Sequence, residues 1–216
     1  MVSRPRKRKL RRSDSQGLEV GLCRILMKTG ATKFGLFKLS SGKLSPYYID
    51  LRMIPGDPKG LHTVIEIYER MAKSTIGIRS FDRIAGVPTA GVPYASILAY
   101  QLMKPFLYVR RELKPHGGER RVEGQLLPGD RVVLVDDLIT TGKNTLQAAE
   151  AIRAEGGQVQ HVLVLIDREE GGQVALAQAE LKLCAFTTVS KIARRLRESG
   201  VIDDDQYEAI LAQIAS

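Results

Sequence analysis

Apolar positions along the chain alternate between continuous runs and helical periods, and the alternation predicts most of the elements. Apolar runs bounded by polar turns predict strands at 83–87, 105–109, 132–135 and 159–166, with an edge strand at 181–186. Between them the period is helical: Leu146, Ala149 and Ile152 share one face over 143–155, and Gly156-Gly157 supplies the stop. Further helices are predicted at 60–73, where Leu61, Val64, Ile65, Ile67 and Tyr68 form a broad apolar face, and at 92–103, 191–198 and 204–215. Leu18, Leu22, Ile25 and Leu26 predict a short amphipathic helix over 18–28 that ends at Gly30. Strands alternating with helices predict an α/β fold with a parallel sheet and flanking helices.

Two stretches depart from this alternation. Residues 34–39 and 47–51 are extended pieces flanking a Ser-Gly and Ser-Pro turn, which predicts a hairpin-like flap and a small N-terminal hood over about 30–55. Residues 110–124, R-R-E-L-K-P-H-G-G-E-R-R-V-E-G, show no apolar period and predict a long mobile loop. Loops of that length inside a compact domain are usually functional. The basic residues of this one face no obvious structural acid in the sequence.

Composition narrows the class. With 216 residues and 44% hydrophobic content, the chain is long enough for one full core, so a single domain over 17–216 is expected. No apolar run approaches the roughly 20 residues that cross a bilayer, and no secretory signal is evident, so a soluble cytoplasmic protein without a membrane partner is expected. Cys23 and Cys184 have apolar neighbours and no metal-ligand spacing, and are expected to be reduced core residues. His62 and His161 are expected to be packing or surface residues. The formal charge is +9, but residues 1–16 hold seven Lys and Arg against Asp14 alone, a net +6 that leaves +3 for the rest. Such a block predicts a disordered basic arm over 1–16 in preference to a nucleic-acid surface. The modest remainder suits an enzyme of anionic substrates.

The chemistry concentrates at 131–146, R-V-V-L-V-D-D-L-I-T-T-G-K-N-T-L. A buried strand ends in Asp136 and Asp137, and the turn Thr140-Thr141-Gly142 leads into a helix whose N-terminal N–H groups favour a phosphate. Adjacent carboxylates would repel a bare phosphate; they suit a sugar phosphate, whose hydroxyls donate to them, with a divalent cation nearby. A nucleotide P-loop is excluded, since Asn144 stands where Ser or Thr is required and Asp137 where the first glycine should be.

This stretch resembles the 5-phosphoribosyl 1-pyrophosphate (PRPP) motif of the type I phosphoribosyltransferases. The resemblance implies that fold, with Asp136 and Asp137 on the ribose hydroxyls and Leu138, Ile139, Thr140, Thr141, Gly142, Lys143 and Asn144 around the 5-phosphate. The phrase 34–52, with Phe37, Leu39, Ser41, Gly42, Ser45, Pro46, Tyr48, Asp50 and Arg52, is similar to the hood of the orotate branch of that family. Arg110, Arg111, Glu112, Lys114, His116 and Gly117 resemble its catalytic loop. By the same resemblance Thr89 and Ala90 belong to a pyrophosphate loop, and Arg168, with Tyr48 and Thr140, contacts orotate. An Arg168–Glu170 surface pair is the alternative for that arginine. Asp137, Lys114 and His116 are implied to be catalytic, with Arg110 and Arg111 binding PRPP beside them. Ser40 stands where many relatives carry lysine, and Arg111 replaces a frequent lysine with its charge kept; Ala90 stands where some carry lysine, so backbone N–H groups and Mg2+ are expected to carry more of the pyrophosphate, and no side chain is assigned as a metal ligand. The implied activity is transfer of ribose 5-phosphate from PRPP to orotate by a homodimer with shared active sites. A purine or uracil salvage enzyme, or a PRPP-sensing regulator that uses its arm on nucleic acid, are the rival readings.

Overall fold

The computed structural model describes residues 12–38, 44–111 and 120–215, with side chains from residue 16. Helix α1 (Arg12–Lys28) leads into an antiparallel hairpin of β1 (Thr32–Lys38) and β2 (Leu44–Ile49), which forms the hood. Helix α2 (Pro58–Met71), strand β3 (Arg83–Gly86), helix α3 (Gly91–Gln101) and strand β4 (Phe106–Val109) follow. Then come β5 (Val122–Glu123), β6 (Arg131–Ile139), α4 (Lys143–Ala154), β7 (Gln158–Asp167), α5 (Gly172–Gln178), β8 (Lys182–Thr188), α6 (Val189–Glu198) and α7 (Asp204–Ala215).

The main sheet has six strands in the order β5-β4-β3-β6-β7-β8, and every pair in it is parallel except β4 with β5. Period two splits the core between its faces. Val133 and Val135 of β6 join a core with residues of α1, α2, α3, α6, α7 and the hood, while Val132 and Leu134 join the other, under α4 and α5. In α2 the fully buried Val64, Ile67 and Tyr68 are worth on the order of 1.5–3 kcal/mol each in burial, more than helix propensity alone supplies. At the amino edge of the sheet Arg83 pairs with Asp130, and Arg131 Nε donates to Asp82 Oδ2 at 2.8 Å. That edge is tied together by ion pairs, and the carboxyl edge is left for ligands.

Several expectations need correction. The sheet is not wholly parallel, because the loop expected over 110–124 ends in β5: Arg110 N donates to Arg121 O at 2.8 Å, and Val122 and Glu123 pair with β4. Among the described residues of that stretch Arg110 does have an acidic partner, Glu123 at 3.5 Å, while the Arg121 backbone N–H donates to Glu155 Oε1 at 2.9 Å. Ser45 and Pro46 lie inside β2 and form no turn. Pro46, which has no N–H to donate, falls opposite a bulge at Gly35 and Leu36, between the pairs Phe34↔Tyr47 and Phe37↔Ser45. The hood residues Leu39, Ser40, Ser41 and Gly42 lie outside the described residues. Helix α1 begins at Arg12, so residues 12–16, expected in the arm, are helical. Helix α5 had no counterpart in the sequence pattern.

Candidate active site

β6 does not end at its acids but runs through them to Ile139, held on one side by Val87 N donating to Val135 O at 2.9 Å and on the other by Arg168 N donating to Ile139 O at 2.9 Å. Both carboxylates are therefore carried by a strand buried in mid-sheet, each 8% exposed. Asp136 Oδ1 accepts from Asp137 N at 3.0 Å and Asp137 Oδ1 from Leu138 N at 2.8 Å. Tyr68 Oη, from α2, donates to Asp136 O at 2.6 Å and pins the backbone between them. Burial pushes the Asp136 carboxyl well above the usual range, helped by the charge of Asp137, and burial also raises Asp137. Such a pair gains from any partner that brings hydroxyl donors or positive charge.

Two helix N-termini converge on these acids. Gly142, left-handed at φ +81, starts α4, and no side chain caps the helix, so its first N–H groups remain for an anion. The turn is set from behind by α5: a Cβ on Gly172 would stand 2.5 Å from Thr140 O. α3 approaches even more closely. A Cβ on Gly91 would fall 2.3 Å from Val135 O and 2.8 Å from the Asp136 Cα, so only glycine lets the two backbones meet. The peptide Pro88–Thr89, just before it, is cis.

The result is an open cleft of about 630 Å³ at the carboxyl edge. Thr89, Ala90, Arg111, Asp136, Asp137, Leu138, Ile139, Thr140, Thr141, Gly142, Lys143 and Asn144 all line it. Arg110 borders a neighbouring shallow depression and faces Glu123. Tyr48 does not line the cleft; its ring packs on Phe37 at 5.9 Å, and the tyrosine that turns inward is Tyr47, 1% exposed. Arg168 is not in the lining either, but it is no surface residue: it is 8% exposed, pairs with Glu170 at 2.8 Å and covers the Tyr47 ring. Lys114 and His116 lie outside the described residues.

Asp50 and Arg52 line the cleft although no role was assigned to them. Asp50 Oδ1 accepts from Arg52 Nε at 2.6 Å and Oδ2 from Nη2 at 2.7 Å, a two-pronged pair that holds the Asp50 carboxyl below its usual range. An Asp-x-Arg at the end of a strand was the available signal. Among the described residues no three His, Cys, Asp or Glu side chains form a metal cage. Two oxygen-donor carboxylates on a cleft floor suit a magnesium ion held mostly by water and by substrate phosphates.

A model of the phosphoribosyl transferase domain matches residues 60–179. The orotate phosphoribosyltransferase of Pyrobaculum aerophilum is 42% identical over 187 residues, spanning 86% of this chain and 94% of the relative. The chain belongs to the orotate phosphoribosyltransferase family. A crystal structure of a family member from Aeropyrum pernix, 36% identical, superposes with a TM-score of 0.71 over 81% of this chain and 98% of that one. The structure of Leishmania donovani UMP synthase, 33% identical, gives 0.81 over 91% of this chain and 42% of the longer protein. In this family setting the α/β sheet, the hood and the cleft beneath it belong to one architecture.

Proposed function

We propose that the protein transfers ribose 5-phosphate from PRPP to N1 of orotate, giving orotidine 5-monophosphate and pyrophosphate in pyrimidine synthesis. One observation carries the chemistry: a buried acid pair, Asp136 and Asp137, shares a cleft with the uncapped N-terminus of α4. The base is supported by the relatives, which are named for orotate.

The C1–O bond to pyrophosphate breaks as the N1–C1 bond forms, through an oxocarbenium-like ribose. No covalent nucleophile is required. The first turn of α4 and the hydroxyls of Thr140 and Thr141 hold the 5-phosphate, and Asp136 and Asp137 accept from the ribose hydroxyls and stabilise positive charge developing on the ring. Thr89 and Ala90, just before α3, receive the pyrophosphate by backbone N–H groups, with Arg111 beside them. Lys114 and His116, with Arg110, are assigned to the leaving group on the family resemblance, and Arg168 to the orotate carboxylate. Asp136 and Asp137 are the side chains that would hold Mg2+ together with the substrate's oxygens; when bound, the ion neutralises charge on the pyrophosphate.

The same reading makes the enzyme a cytoplasmic homodimer; no described helix is long and apolar enough to cross a membrane. The test is an absorbance assay of orotate consumption with PRPP and Mg2+, run beside adenine, hypoxanthine and uracil. Consumption of orotate alone is expected. Turnover of a purine or uracil in its place would overturn the assignment.

A further inference from the structure

Arg168 carries its charge in a nearly closed space, and a buried charge is costly unless its donors are matched. Two side chains match it, and both take the same nitrogen: Nη2 donates to Tyr47 Oη at 3.3 Å and pairs with Glu170 Oε1 at 2.8 Å. Tyr47 also lies under the guanidinium, with Cζ 5.0 Å from the ring centroid, and its hydroxyl donates to Glu170 Oε1 at 3.4 Å. The three groups close a triangle. Arg168 Nε is buried and finds no hydrogen-bond partner among the described residues.

The triangle is anchored at both ends. Tyr47 is fixed in β2 by its pairing with Phe34. The turn that carries Glu170 is held by Asp167 Oδ1, which accepts from Glu169 N at 2.8 Å, and by Glu169 itself, whose carboxylate accepts from Ser190 N at 2.8 Å and from Ser190 Oγ at 3.0 Å. It also adjoins the cleft, since Arg168 N donates to the lining residue Ile139, and Tyr47 stands two residues before the lining residue Ile49 on the same strand face.

We propose that Tyr47 and Glu170 are positioning residues: they fix the plane of the Arg168 guanidinium for the substrate carboxylate and so set the preference for a carboxylated pyrimidine over its uncarboxylated counterpart. The proposal rests on orotate being the substrate. A guanidinium recognises a carboxylate by two parallel N–H···O bonds, which requires its plane to be set beforehand. A ring beneath and a carboxylate at one nitrogen set it, and Nε, unmatched among the described residues, leaves the group a donor to spare.

The experiment compares the full chain with Glu170→Gln and Tyr47→Phe, both close in shape to the native side chains, in steady-state kinetics with orotate and with uracil. Glu170→Gln is expected to raise KM for orotate at least about tenfold, with KM for PRPP within about twofold, and to lower the orotate-to-uracil ratio of kcat/KM by a similar factor. Tyr47→Phe is expected to act in the same direction by about threefold. Equal changes in both KM values, or an unchanged ratio, would reduce the triangle to a structural contact and overturn the proposal. A fall in KM for orotate would overturn it too, since Glu170 would then compete with the substrate for Arg168. Wild-type enzyme that uses another base in place of orotate would remove the substrate assignment and this proposal with it, whereas the variant results bear on the proposal alone.

Discussion

Burial raises both acids of the cleft, so in the substrate-free protein their negative charges oppose folding. A carboxyl whose folded pKa lies above its unfolded value binds more protons when folded. Its penalty is absent below the unfolded value near ~4 and grows as pH rises toward the folded pKa. Asp137→Asn should therefore lower kcat/KM by about 10²- to 10³-fold while leaving the urea midpoint at pH 7.5 equal to or above that of the wild type. The variant's stability should also fall less between pH 4.5 and 7.5, which denaturant titrations at the two pH values would measure. The acid pair was legible in the sequence because a continuous apolar run rarely gives way to two adjacent carboxylates, although the strand itself continues through them to Ile139. The choice between Tyr47 and Tyr48 was not legible, because it depends on strand register, and Ser45-Pro46 looks like a turn until the bulge at Gly35 and Leu36 is seen to accommodate it. Arg168 and its pairing with Glu170, two positions on, were legible, but Tyr47 was not, since it is 121 positions away.

Among the elements, α5 has an influence out of proportion to its seven residues. It leaves little periodic signal, because only Gly172 and Leu176 are buried, yet Gly172 presses on the backbone of the phosphate turn at Thr140. Gly172→Ala should cost about 1–3 kcal/mol by overpacking, measurable as a lowered denaturation midpoint. Because the displaced atom is Thr140 O, KM for PRPP should rise while KM for orotate changes less. A variant with lowered stability and an unaltered KM for PRPP would show that the turn is indifferent to α5. β5 escaped the sequence for a related reason: two residues carry no period, and the strand is defined by its pairing with β4.

For the molecule as a whole, the arm and the oligomer are the open proposals. Leu22, Ile25 and Leu26 of α1 are buried and that helix begins at Arg12, so a truncation that spares the whole helix starts there. A chain beginning at Arg12 should keep kcat within about tenfold of the full protein, a barrier change under about 1.4 kcal/mol. A larger loss would give the arm a part in turnover. If the enzyme is a dimer whose loop serves the neighbouring site, Lys114→Ala and Asp137→Asn should each be nearly inactive. Subunits exchanged between the two should then recover about a quarter of wild-type activity, because half the dimers are hybrid and half of their sites are intact. No recovery in confirmed hybrids would keep each loop over its own site. The layer order and the cleft were legible because strand-turn-helix units at the end of a parallel sheet leave few alternatives.

Ala90 lines the cleft and stands at the start of α3 with φ −74 and ψ −29, a conformation that any unbranched side chain adopts without strain. The position is therefore a socket into which a cation can be grafted without rebuilding the backbone around it. If Mg2+ carries the pyrophosphate charge as proposed, side-chain charge and metal charge become interchangeable there. Ala90→Lys should lower the Mg2+ concentration needed for half-maximal rate severalfold and lower KM for PRPP, whereas an unchanged Mg2+ requirement would mean that the ion's charge is spent elsewhere in the cleft.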